Sequence, residues 1–301
     1  MAWIEISVET TGDLSETLSE VFNSAGALSV TVLDGGDEPI LEPAPGETPL
    51  WSRVRLTALF NEGVDTQGIR QQLQAILDNP DAAVAIQTLE DRDWSTTWRD
   101  TFSAMRFGER LWVCPVGELP PDPEAIVVHM DPGMAFGTGT HATTALCLEW
   151  LAANPPQDQA VIDFGCGSGI LAIAAHKLGA NLVTAVDIDP QALVATRENA
   201  RRNDCDMTVA HPEPASLSAA HLVVANILAN PLVELAADLS RCVHPGGMLV
   251  MTGILAGQAA AVMAAYRGQF EFAEPVCREE WMLLEGRRRD SVLSSDGLLV
   301  E

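Results

Sequence analysis

Apolar and polar positions alternate at the start of the chain. Ile4, Ile6 and Val8 are separated by polar neighbours, the period-two pattern of a strand with one buried face. Leu14, Leu18, Val21, Phe22 and Ala25 then recur at helical spacing. Leu28 to Leu33 predicts a second strand and Trp51 to Phe60 a third. Ile69, Leu73, Ile76 and Leu77 mark a second helix, and Val84 to Leu89 a fourth strand. Gly35 to Pro49 is an acidic loop rich in proline and glycine. Strand-helix-strand-strand-helix-strand is the split β-α-β, ferredoxin-like order, expected here for residues 1–90. This segment shows no catalytic constellation, which suits a recognition module.

Residues 91–120 read as a connection. Trp94, Trp98, Phe102 and Met105 share one helical face, so Asp91 to Met105 is expected to be a linking helix with an interdomain packing stripe. Arg110 to Pro115 predicts a short strand, and Pro120-Pro121-Asp122-Pro123 a stiff boundary. Residues 121–286 read as the second domain, in which strands and helices alternate from about 124 to 285. The strands centre on Val127, Val161, Val183, Val223 and Val250; the helices follow His141, Ser168, Pro190, Pro231 and Gly257. Such alternation predicts a parallel sheet with helices on both faces. Phe270 to Val276 and Trp281 to Leu284 could form a closing hairpin, and residues 287–301 a flexible polar tail. The expected fold class is α/β, a Rossmann-like domain preceded by a smaller ferredoxin-like α+β domain.

Composition narrows the partners. The 301 residues are 47% hydrophobic, without an apolar run of about 18 residues, so no membrane span is expected. The N-terminus lacks the basic region and apolar core of a signal peptide. Cysteines 114, 147, 166, 205, 242 and 277 form no C-x-x-C pair, against a disulfide framework or zinc site and in favour of the reducing cytoplasm. There are 42 acids against 17 Lys plus Arg, a formal charge of −25, and Lys177 is the only lysine. Direct nucleic-acid binding is therefore disfavoured. A basic protein partner is compatible, and a salty cellular environment would account for the acidity equally well.

Val161-Ile162-Asp163-Phe164-Gly165-Cys166-Gly167-Ser168-Gly169-Ile170-Leu171 reads as a buried strand, a glycine turn and a helix start. Ala185-Val186-Asp187-Ile188-Asp189-Pro190 reads as the next strand, with Asp187 22 positions after Gly165. The spacing is G-x-G-x-G rather than the dinucleotide G-x-G-x-x-G. Asp163 adds negative charge where a pyrophosphate would otherwise sit. These features suit a ligand with a ribose and a positive charge, and resemble the nucleoside loop of class I S-adenosylmethionine-dependent methyltransferases. Asp187 is expected to accept the ribose hydroxyls, Asp189 to cap the helix from Pro190, and Cys166 to be structural.

Two further blocks make the resemblance specific. Met130-Asp131-Pro132-Gly133-Met134-Ala135-Phe136-Gly137-Thr138-Gly139-Thr140-His141-Ala142-Thr143-Thr144 precedes the loop, and Val223-Val224-Ala225-Asn226-Ile227-Leu228-Ala229 follows it. With Phe107-Gly108-Glu109-Arg110-Leu111-Trp112 and Glu279-Glu280-Trp281, nearly the whole chain resembles the PrmA family, which methylates ribosomal protein L11. The resemblance implies S-adenosyl-L-methionine as cofactor, with Thr144, the backbone near Phe136, Gly165, Gly167, Asp187 and Asn226 around it. It implies lysine ε-amines and the N-terminal α-amine of ribosomal protein L11 as acceptors, brought in by the small domain. A cytoplasmic monomer without metal is expected.

Methyl transfer to nitrogen needs a neutral amine with its lone pair in line, held by acceptors. Candidates are the Asn226 amide oxygen and the carbonyls of Ile227 and Leu228. Related amide and amine methyltransferases carry Asn-Pro-Pro-Tyr here; this chain has Asn226-Ile227-Leu228-Ala229, against a glutamine- or adenine-methylating activity. His141 is expected at a helix start. The alternatives are a small-molecule amine methyltransferase and a non-catalytic ribosome-assembly binding protein.

Overall fold

The computed structural model describes residues 3–36, 50–89, 103–130, 139–212 and 217–290. Most of the acidic loop, the aromatic residues Trp94, Trp98 and Phe102, and Phe136 lie outside these residues. The chain divides into two compact units, 1–96 and 97–301.

In the first unit β1 (Trp3–Thr11), α1 (Ser15–Ser24), β2 (Ser29–Asp34), β3 (Arg53–Asn61), α2 (Thr66–Ile76) and β4 (Val84–Leu89) follow the expected order. The sheet order is β2-β3-β1-β4, every neighbouring pair antiparallel. Alternation decides the faces. Ile6 and Val8 of β1 and Val54, Leu56, Ala58 and Phe60 of β3 are buried with Leu18 and Phe22 of α1 and Leu73 of α2. Burying each large side chain contributes about 1.5–3 kcal/mol. The other face is polar, where Glu9 pairs with Arg53 at 3.3 Å and Arg55 at 2.6 Å. Asp65 caps α2 by accepting the Gly68 N–H at 3.0 Å.

The second unit opens with β5 (Met105–Phe107), β6 (Leu111–Pro115) and β7 (Ile126–Met130). After α3 (Ala142–Ala153) come β8 (Ala160–Phe164), α4 (Ile170–Lys177), β9 (Leu182–Val186), α5 (Pro190–Arg202), β10 (Thr208–Ala210) and β11 (Ala220–Asn226). Next are α6 (Ala229–Glu234), α7 (Ala236–Arg241), β12 (Val243–Leu255), α8 (Ala259–Tyr266), β13 (Phe270–Phe272), β14 (Val276–Arg278) and β15 (Trp281–Arg288). The large sheet runs β10-β9-β8-β11-β12-β15-β13, with β14 on β15. Its strands from β10 to β12 are parallel and β15 is antiparallel to β12. The order reverses between β8 and β11, so a crevice opens beyond their carboxyl ends. Successive residues of β8 serve opposite cores: Val161 packs with Leu146 and Ile173, and Ile162 with Val223 and Tyr266.

Four expectations are corrected. Met105 does not end a helix; it opens β5 and pairs with Val113. The strand assigned to the connection belongs to the second unit, because β6 pairs in parallel with β7 and buries Leu111 and Val113 in its core. The strand around Val127 joins this three-stranded sheet rather than the large one. The polar tail does not begin at Arg287, since β15 carries Arg287 opposite Met248 and Glu271.

Candidate functional site

The turn from β8 into α4 brings the glycine loop to the end of β9. Gly165, Gly167 and Gly169 have φ of 78°, 54° and 81°, a left-handed region that side chains disfavour. The N–H groups of Gly165 and Cys166 both donate to Val186 O, at 2.8 and 3.0 Å, and Gly169 N–H to Cys166 O at 2.7 Å. Gly167 N–H donates to Asp187 Oδ2 at 2.9 Å, and Asp189 N–H to Asp187 Oδ1 at 2.9 Å. A phosphate cradle keeps its N–H groups for an external anion; this loop gives these four to the protein. Asp189 Oδ1 accepts the Gln191 N–H at 2.8 Å and caps α5. Ile188, beside Asp187, is 75% exposed and offers an apolar surface at the rim.

The electrostatics point the same way. Asp163 is 1% exposed, and its Oδ2 accepts the Ala172 N–H in the first turn of α4 at 2.9 Å. Its Oδ1 has no hydrogen-bond partner among the described residues. Burial pushes this carboxyl up to about 7, against the Ala172 hydrogen bond, and the charge of Asp187 adds to the rise. An orphaned buried acceptor beside a second carboxylate fits a cationic ligand and repels a diphosphate. The Cys166 thiol is likewise pushed up to about 12, first by burial and then by Asp163, so it is no thiolate nucleophile.

Beyond β11 stand Asn226, Ile227 and Leu228. Asn226 Nδ2 donates to Oγ1 of the fully buried Thr144 at 3.3 Å, which joins two residues 82 positions apart and leaves the amide oxygen as an acceptor. Of the two backbone candidates, one already accepts a hydrogen bond and the other lies close against β12. Leu228 O accepts the Leu232 N–H at 3.2 Å in the first turn of α6, and Ile227 O faces Gly253 of β12. Gly253, with φ of 85°, has no room for a Cβ, which would lie 2.8 Å from Ile227 C and closer still to its oxygen. A Cβ at Gly165 would run into Ile227 Cγ2. Ile227 is thus wedged between the glycine loop and β12. Gly253 passed unnoticed in the sequence, where only its place inside an apolar strand hinted at a close backbone approach.

His141 is the N-cap of α3. Its Nδ1 accepts the Thr143 N–H at 3.3 Å and lies 2.8 Å from Thr143 Oγ1, and its ring meets Trp281 edge-on at 5.3 Å. Among the described residues no group of three or more His, Cys, Asp or Glu is placed to hold a metal ion, and no helix is long and apolar enough to cross a membrane.

Comparisons with known proteins identify the family of the chain. The model of the ribosomal protein L11 methyltransferase (PrmA) family matches residues 2–289. A ribosomal protein L11 methyltransferase of Hahella chejuensis is 48% identical over 292 residues, 96% of this chain and 99% of that protein. One from Methylococcus capsulatus is 50% identical over 291 residues, 95% of this chain and 99% of its own length. The crystal structure of a ribosomal protein L11 methylase from Lactobacillus delbrueckii subsp. bulgaricus superposes with a TM-score of 0.58 at 31% identity, covering 62% of this chain and all of that one. The chain belongs to the ribosomal protein L11 methyltransferase (PrmA) family of S-adenosylmethionine-dependent enzymes.

Proposed function

We propose that this enzyme methylates lysine ε-amines and the N-terminal α-amine of ribosomal protein L11, in the cytoplasm and as a monomer without direct RNA contact. The observation that carries the substrate assignment is the span of the match, residues 2–289, through both units. A small-molecule methyltransferase would have no evident use for the first unit, which we assign to substrate recognition.

When bound, S-adenosylmethionine would supply an electrophilic sulfonium methyl: the amine lone pair bonds to the methyl carbon in line as the carbon–sulfur bond breaks, its electron pair leaves with sulfur as S-adenosylhomocysteine, and the methylated ammonium releases its extra proton to water. Asp187 accepts the ribose hydroxyls with the oxygen lone pairs that Gly167 and Asp189 leave free. Gly165 and Gly167 let the backbone approach the nucleoside, Ile188 lies against the purine, and the buried Asp163 carboxylate acts on the positive charge at a distance rather than by contact. Thr144 contacts the same cofactor, and the resemblance to the family adds the backbone near Phe136, which lies outside the described residues. The amine must arrive neutral, which is harder for a lysine at pKa about 10.4 than for an α-amine at about 8. Asn226, fixed through Thr144, accepts an amine N–H with its amide oxygen and so aligns the lone pair.

The test is the intact mass of purified ribosomal protein L11 after incubation with the enzyme and cofactor. Added methylene masses are expected; an unchanged mass refutes the substrate assignment. Asn226→Ala keeps near-normal cofactor affinity and loses at least about tenfold in single-turnover methyl transfer, roughly 1.4 kcal/mol of transition-state alignment. A wild-type single-turnover rate for the variant removes Asn226 from the aligning role.

The pH dependence of cofactor binding follows from Asp163. Its carboxyl, raised to about 7 mainly by burial, is neutral below that pH and ionised above it. A cation binds the ionised form better, so the Kd for S-adenosylmethionine falls as pH rises from about 6 to about 8, by up to tenfold per unit below the pKa. Asp163→Asn flattens this profile. Calorimetry on the binary complex is the measurement, because the amine substrate adds a pH dependence of its own to the rate. A wild-type profile that is flat over this range removes Asp163 from cofactor binding.

A further inference from the structure

Helix α5 reads from its sequence as a polar surface helix, yet one stripe of it is buried. Thr196, Asn199 and Asn203 stand at i, i+3 and i+7 with exposures of 0%, 3% and 3%. Each gives its side chain to the backbone of another segment. Thr196 Oγ1 donates to Gly167 O at 3.0 Å and lies 3.3 Å from Cys166 Sγ. Its methyl fills the space at Gly169, where a Cβ would come within 2.8 Å. Asn199 Nδ2 donates to Ser168 O at 2.9 Å, while its Oδ1 accepts from Arg202 at 2.9 Å. Asn203, just past the helix, accepts the His129 N–H of β7 at 2.8 Å and donates to His129 O at 2.7 Å. The helix begins at Asp189, whose N–H donates to Asp187 Oδ1.

We propose that Thr196 and Asn199 are positioning residues for cofactor binding. Through one rigid helix they hold the carbonyls of Gly167 and Ser168 at a fixed separation from the Asp187 carboxylate. The proposal rests on reading Asp187 and the glycine loop as the nucleoside contacts. Its physical basis is preorganisation. Three glycines with positive φ give the loop many accessible conformations, and ordering them on binding would weaken affinity. Two hydrogen bonds from α5, one part-buried and one buried, select one conformation before the ligand arrives. The half-buried carbonyl of Gly167 loses its donor when the Thr196 hydroxyl is removed, which frees the loop to shift.

Thr196→Val keeps the shape and deletes the donor. Calorimetry is expected to show the Kd for S-adenosylmethionine rising about tenfold, with turnover at saturating cofactor unchanged within about twofold. Thr196→Ser, which restores the hydroxyl, returns the Kd to near the wild-type value. Asn203→Ala, which frees the far end of the same helix, lowers Tm but leaves the Kd within about twofold of wild type. If Thr196→Val lowers Tm in the same way while binding cofactor normally, the stripe is packing alone and the proposal falls. Asp187→Ala, measured in parallel, separates the two levels. Normal binding by that variant overturns the site reading and the proposal with it, whereas loss there with normal binding by Thr196→Val overturns the positioning role only.

Discussion

Asp187→Ala is expected to weaken S-adenosylmethionine binding by at least about a hundredfold. The carboxylate ends β9 beside the glycine loop, and both of its oxygens already order backbone, through Gly167 N–H and Asp189 N–H. Two ribose hydroxyl contacts would be lost, each charge-assisted hydrogen bond contributing about 1.5–3 kcal/mol. The loop loses its Gly167 anchor in the same substitution, so the effect exceeds that of the missing contacts alone. Asp187→Asn keeps one acceptor oxygen and falls between the two. Titration calorimetry decides the matter, and an alanine variant that binds with wild-type affinity excludes Asp187 as the ribose ligand.

Gly253→Ala is expected to lower methyl transfer by about a hundredfold while S-adenosylmethionine binding changes far less. Two effects act together at this position. An alanine at φ of 85° is strained by about 1–2 kcal/mol, and its Cβ would collide with the carbonyl of Ile227. Ile227 is held on its other side by Gly165, so relief requires the strand end that carries Asn226 to move. A displacement of about 1 Å at a reacting centre costs on the order of a hundredfold in rate. Single-turnover rates beside cofactor Kd are the measurement. Equal losses in both would mean that the collapse reaches the nucleoside pocket, and an unaffected rate would mean that the loop end tolerates the shift.

The parts of this architecture that were legible in the sequence are those with local signatures. The first unit could be read from period-two and period-3.6 patterns because each element buries one face against one core. The glycine loop and Asp187 could be read because positive φ and a strand-end carboxylate each need a particular residue type. What escaped the sequence depends on partners far along the chain. The pattern around Val127 identifies a strand but not the sheet it joins, which is set by pairing with β6. β10 has three residues, too few to show a period. Gly253 becomes informative only when Ile227 lies against it. Thr196, Asn199 and Asn203 sit in a polar stretch that reads as solvated, because their burial is created by the backbone carbonyls of other segments.

The amide of Asn203 also bears on how the molecule behaves in a crowded solution. β7 is the last strand of its sheet, and an exposed strand edge is a template on which another chain can add. On that strand, one residue from its end, the N–H and C=O of His129 are both taken by one side chain. A foreign strand would have to displace a buried asparagine before it could pair there. The helix end thereby acts as a stopper against edge-to-edge aggregation, at the cost of no additional strand.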